Sequence, residues 1–240
     1  MATIYPLRLR LSTAFLVIGE RPVLVDAGSP GEADKIVRAM AKYHVSPGDL
    51  SLILLTHAHT DHAGSAKELR QRSGAPVALH PADGEMLRRG TMGRLNPLRP
   101  RHRLLELYVN KPFDGFEADV DLHDGQRLVE YGLAAEVVET PGHSAGSVSV
   151  VLDRPAPNEL CDALIGDLLI GGFLGGLIDP RRPRLPYFAE DYGQILDSVA
   201  TVADKAGGHY YCGHGGPLNA LETAKWRERI AGQLPIAATG

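Results

Sequence analysis

The stretch "LSLILLTHAHTDHAG", residues 50–64, constrains this chain more than any other. Its apolar run has the length of a strand and suits one buried on both faces. Three histidines and an aspartate then follow within six residues: His57, His59, Asp61 and His62. On an extended chain His57 and His59 face the same side, because side chains alternate with period two. Asp61 and His62 come where the chain must turn, since Ala63-Gly64-Ser65 reads as the start of a helix. Two histidines aimed one way and an Asp–His pair aimed beside them suit two adjacent metal ions better than one. Imidazole and carboxylate donors favour zinc, and iron and manganese accept the same ligand chemistry.

A catalytic metal site needs further ligands, and three more candidates end expected strands. They are His143 in "TPGHSAGS", Asp167 in "LIGD" and His214 in "YCGHGG". Each is flanked by glycine or another small residue, which lets the backbone turn sharply beside an ion.

The rest of the chain alternates strand and helix patterns. Strands are expected at 7–11, 14–18, 22–25, 77–80, 128–129, 135–139, 147–152 and 163–165, with a final short strand in "HYYCGHG". Helical spacing marks 32–43, 66–72, 191–206 and 219–231. Residues 81–116 break this rhythm with Gly, Pro and Arg and read as an excursion, either a surface loop or a substrate lid. No linker divides the chain, so one α/β domain over 1–240 is expected, with sheets inside and helices outside.

Composition narrows the function classes. The net charge of −4 gives no electrostatic footprint for nucleic acid. No run of eighteen apolar residues offers a membrane span. The N-terminus lacks the pattern of a secretory signal, so a soluble, cytoplasmic protein is expected. Cys161 and Cys212 do not make a disulfide framework in a chain this long and are expected to be buried thiols. A small-molecule substrate is the expected partner, and a homo-oligomer is compatible with the sequence.

In order, these motifs resemble the metallo-β-lactamase-fold hydrolase superfamily: an Asp in "VDAG" (Asp26), H-x-H-x-D-H, then a later His, Asp and His. The resemblance implies a four-layer αββα sandwich with metals at one edge. It implies one zinc held by His57, His59 and His143, a second held by Asp61, His62 and His214, and Asp167 bridging them. Asp26 would orient the His57 loop through hydrogen bonds. The implied enzyme is a dinuclear zinc hydrolase whose bridging hydroxide attacks the substrate, with Asp61 orienting the attacking water and shuttling a proton.

Several positions separate this chain from particular branches. His59 stands where diiron flavoprotein members carry Glu, and Asp167 where several true β-lactamases carry Cys. The stretch "GDLLIGGFLGG" lacks the Cys and Arg of glyoxalase II-like thioesterases, and Ile170 stands where quorum-signal lactonases carry Tyr. The expected reaction is hydrolysis of a small ester, thioester or lactone. A mononuclear iron persulfide dioxygenase, resembled through His57, His143 and Asp167, is one alternative, and a β-lactam-hydrolysing enzyme is another. Phe173 and Leu174 in "IGGFLGGL" are expected to line the substrate pocket, with Tyr187 reaching it from the following loop. Arg99, Arg101 and Arg103 read as a solvated basic loop that could anchor an anion if the excursion folds over the metals.

Overall fold

The computed structural model describes residues 2–231 except 94, 155, 157 and 158. The first half of the chain makes one sheet. Strands β1 (Thr3–Arg8), β2 (Thr13–Ile18) and β3 (Pro22–Val25) pair antiparallel in succession. Strands β4 (Leu52–Leu54), β5 (Val77–Leu79) and β6 (Val120–Asp121) then add parallel to β3, each in turn.

The second half makes another sheet. Strands β7 (Ala135–Glu139), β8 (Val148–Leu152) and β9 (Ala163–Gly166) pair antiparallel. A separate hairpin, β10 (Ile170–Phe173) and β11 (Ile178–Arg184), precedes β12 (His209–Cys212), which pairs parallel to β9 and antiparallel to β13 (Leu218–Asn219).

Alternation along the strands explains the layering. In β3 and β4, Val23, Val25, Leu52 and Leu54 point to one face and meet Val137, Val148, Val150 and Leu164 of the second sheet. The intervening Leu24 and Ile53 point outward and pack with Ile36, Met40 and Leu69. Those residues belong to helices α1 (Ala33–Ala41) and α3 (Ala66–Ser73), while the four-residue helix α2 (Thr60–Ala63) lies between β4 and α3. On the far side of the second sheet, Val138, Val151 and Ile165 pack with Ile195, Val199 and Val202 of α6 (Tyr192–Lys205); α4 (Gly84–Arg89) and α5 (Arg103–Val109) precede it in the chain. The layers run helix, sheet, sheet, helix, and each fully buried Val or Leu stabilises them by about 1.5–3 kcal/mol relative to exposure. Helix α7 (Ala220–Ala231) closes the described chain.

Three expectations need correcting. The strand expected at 7–11 lies at Thr3–Arg8, and the chain turns after it, with the Leu9 N–H donating to the Ser12 carbonyl. Residues 128–129 are not a strand: Leu128 is buried between the sheets, but Val129–Tyr131 form a 3-10 turn with Val129 exposed. The turn ends in the left-handed Gly132 (φ +76°), whose carbonyl accepts the Glu20 N–H from the neighbouring hairpin. Asn219 belongs to β13 rather than to the last helix, where its Oδ1 accepts the Glu222 N–H and caps α7. The two cysteines are free and buried.

The 81–116 excursion carries α4 and α5 and is anchored rather than loose. The Leu98 N–H donates to the Tyr187 carbonyl (2.8 Å), and the Ala189 N–H to the Asn96 carbonyl (3.1 Å). Met92 and Leu95 form a small apolar cluster with Phe188.

Candidate metal centre

Parallel pairing brings the ends of five strands to work at one edge. β3 runs into Asp26, β4 into Thr56 and His57, β5 into Asp83, β9 into Asp167, and β12 into His214. His143 comes from the loop between β7 and β8. Asp61 and His62 sit in α2, which begins at Thr60, three residues before the helix start expected from the sequence.

The seven expected side chains converge. One ligand atom from each of His57, His59 and His143 lies within 4.8 Å of the other two, and the same holds for Asp61, His62 and His214 and for His57, His62 and Asp167. Asp167 reaches both sides: its Oδ2 is 3.7 Å from His143 Nε2 and 3.1 Å from His214 Nε2, and its Oδ1 is 3.4 Å from His62 Nε2. His214 Nε2 also lies 3.2 Å from Asp61 Oδ2.

Hydrogen bonds behind the ring nitrogens set which atoms face the centre. Asp26 Oδ2 takes His62 Nδ1 at 2.8 Å, which turns Nε2 inward. Asp26 Oδ1 accepts both the Thr56 N–H (2.8 Å) and the Thr56 hydroxyl (3.0 Å). With its proton committed to Asp26, that hydroxyl accepts from His57 Nδ1 at 3.1 Å and leaves His57 Nε2 as the inward lone pair. His143 Nδ1 donates to the Phe188 carbonyl at 2.9 Å, so its Nε2 also faces the cluster. Asp26 thus orients two of the histidines, one directly and one through Thr56.

These atoms fit divalent ions. His57 Nε2, His62 Nε2 and Asp167 Oδ1 are buried and lack a hydrogen-bond partner among the described residues. Such groups are costly to bury unless something binds them. Burial pushes the His59 imidazole down to about 4 and that of His143 down to about 3, so both offer a neutral nitrogen. At His214, burial is outweighed by the carboxylates of Asp167 and Asp61, which raise it to about 10. The same opposition, with Asp167, Asp26 and Asp61 prevailing over burial, raises His62. The carboxylates demand positive charge there, and a divalent ion meets that demand in place of protons. Nitrogen and oxygen donors in trios suit a divalent metal ion.

Close packing explains the glycines beside the ligands. A Cβ on Gly213 would stand 2.4 Å from both Asp167 Oδ1 and the His62 ring. A Cβ on Gly166, which is left-handed at φ +49°, would meet Thr56 Oγ1 at 2.6 Å.

Asp83 was not singled out from the sequence. Its Oδ2 accepts the Ala58 N–H (2.9 Å) and the Ser144 hydroxyl (2.8 Å), and its Oδ1 accepts the Gly146 N–H (2.8 Å). One buried carboxylate therefore ties the His57–His59 segment to the loop of His143. Its signal was the turn "PADG" directly after a strand parallel to β4.

The centre opens into a cavity of about 420 Å³. Phe173, Leu174 and Tyr187 all line it, with His59, Asp61, His143, Asp167 and His214 at its floor. The excursion supplies Met92, Arg101, His102, Leu105 and Val109 to the same cavity. Those residues and Leu11 were not anticipated as lining, apart from the basic run that includes Arg101. Arg99 and Arg103 are exposed, and His209 lies on β12, exposed beside Asp162.

Known proteins resemble this chain to different degrees. Residues 7–155 match the family model described as "Metallo-beta-lactamase superfamily". An uncharacterized protein of Mycobacterium bovis is 31% identical over 163 residues, covering 66% of this chain and 69% of that protein. The hydroxyacylglutathione hydrolase of Pseudomonas putida is 25% identical over 205 residues, 85% of this chain and 61% of that enzyme. In fold, a subclass B3 metallo-beta-lactamase of Bradyrhizobium japonicum superposes with a TM-score of 0.65 at 18% identity, covering 99% of this chain and 82% of that one. The matched residues span well over half of the chain, and the chain belongs to the metallo-beta-lactamase superfamily.

Proposed function

We propose that the protein is a dinuclear zinc hydrolase of a small ester, thioester or lactone with an apolar acyl part. The observation that supports this most is the pair of ligand trios, joined through Asp167, at the floor of a largely apolar cavity. Bound zinc would supply an activated water and polarise the scissile carbonyl. His57, His59 and His143 would hold one ion, and Asp61, His62 and His214 the other, with Asp167 shared.

The chain's own groups would do the rest. Asp61 lines the cavity and is held ionised because His62 and His214 outweigh its burial, so its carboxylate can orient the attacking water and accept its proton. Phe173, Leu174, Leu105 and Val109 would seat the acyl part and exclude water around it. The 81–116 excursion would act as the lid, since it lines the cavity and is hydrogen-bonded to the segment of Tyr187.

Elemental analysis of protein purified without chelator, with assays on thioesters, lactones and a β-lactam, tests the reading. Near two zinc ions per chain and hydrolysis abolished by chelation supports it. Near one iron per chain, with oxygen uptake on glutathione persulfide, moves the protein to the dioxygenase branch. Efficient turnover confined to the β-lactam moves it to that activity.

A further inference from the structure

The cavity carries positive charge that no carboxylate pairs with among the described residues. Arg101 lines it from the excursion. Behind the lining, Arg184 of β11 lays its guanidinium 3.4 Å over the centre of the ring of Phe173, which lines the cavity. That stacking pins a long, flexible side chain in one place. Arg70, Arg72, Arg88, Arg89 and Arg127 each pair with a carboxylate. Among the described residues, no carboxylate pairs with Arg99, Arg101 or Arg184.

This concentration of charge is at odds with the chain as a whole, whose net charge is −4. Arg184 is half-buried, and burial, together with the charges of Arg182 and Arg99 and against that of Tyr187, lowers its affinity for a proton. Arg99 and Arg101 press on His102 in the same way, after burial. Arg99 and Arg101 are exposed, so the desolvation falls on Arg184, and a half-buried guanidinium without a counter-charge is unfavourable in the free protein and favourable once an anion joins it.

Building on the hydrolase reading above, we propose that Arg101 and Arg184 form an anion subsite at the cavity. The substrate would then be amphipathic: a scissile carbonyl at the histidine floor, an apolar body against Phe173, Leu105 and Val109, and a carboxylate or phosphate at the far end. Arg99 strengthens the field from beside them. Phe173 links the two, since it lines the cavity and carries Arg184 on its ring, so a single molecule can meet the apolar lining and the cations.

The test pairs two chromogenic esters, p-nitrophenyl octanoate and the mono-p-nitrophenyl ester of octanedioic acid, which differ in a terminal carboxylate. The holoenzyme should favour the carboxylate ester in kcat/KM, chiefly through KM. In R101Q and R184Q that preference should fall by about tenfold, as expected when a charge-assisted contact is lost. R184K should keep part of it. A preference that survives both Gln variants, or no preference in the holoenzyme, overturns the proposal. Calorimetric binding of 1-octanesulfonate against 1-octanol separates the two readings. Tighter sulfonate binding that needs Arg184, without ester hydrolysis, keeps the subsite and removes the esterase. Equal binding of both probes removes the subsite whatever the enzyme hydrolyses.

Discussion

Asp26 Oδ2 and His62 Nδ1 lie 2.8 Å apart, and neither residue is exposed beyond 1%. The same carboxylate reaches His57 through Thr56, so one side chain behind the site orients a histidine of each proposed ion. D26N should therefore weaken both ions together, by roughly 10- to 100-fold in affinity. Competition with a chromophoric chelator checks this. Loss of one ion with the other unchanged would contradict the shared role.

Asp83 should matter for stability as well as for the site. Replacing it with Ala leaves the Ala58 and Gly146 N–H groups buried and unpaired, which should cost roughly 2–4 kcal/mol in urea unfolding. Zinc affinity should drop in the same variant, because the segments of His59 and His143 lose their common anchor. A variant as stable as the parent would show that water replaces the carboxylate.

Gly213→Ala places a methyl group where Asp167 and the His62 ring approach. The chain should still fold, because the clash is local to the centre. Metal content should fall by about one ion per chain, since the displaced atoms, the His62 ring and the Asp167 Oδ1 beside it, face the ion that His62 would hold. Elemental analysis beside circular dichroism distinguishes this from misfolding.

Chelation should lower the thermal midpoint, and added zinc should restore it. An ion at 100 times its Kd contributes about 2.7 kcal/mol of stability, and two ions more. A midpoint indifferent to chelator would mean that the cluster tolerates its buried unpaired nitrogens without metal.

The strand-end positions of the histidines could be read because strand, turn and ligand are neighbours in sequence. "LSLILLTHAHTDHAG" states its own geometry: an apolar run, then donors spaced by two. The sandwich was read from the resemblance, and its two apolar interfaces follow from alternations such as Val23-Leu24-Val25. Asp83 was not legible in the same way, because its partners Ala58 and Gly146 lie 25 and 63 residues away. Residues 128–129 misled because a buried Leu beside a β-branched Val looks like a strand, whereas Gly132 turns the chain. The glycine-rich stretch concealed a hairpin, since β10 and β11 mix glycines, arginines and prolines instead of alternating. Tertiary packing, not local propensity, fixed those cases.

Each ligand trio draws two residues from the first half of the chain and one from the second: His57 and His59 with His143, Asp61 and His62 with His214. Neither half-sandwich can hold an ion well alone. Two bound ions would therefore act as rivets across the seam between the sheets. Pulled apart from its ends, the holoprotein would resist until those rivets gave way, and the apoprotein would yield at the seam first.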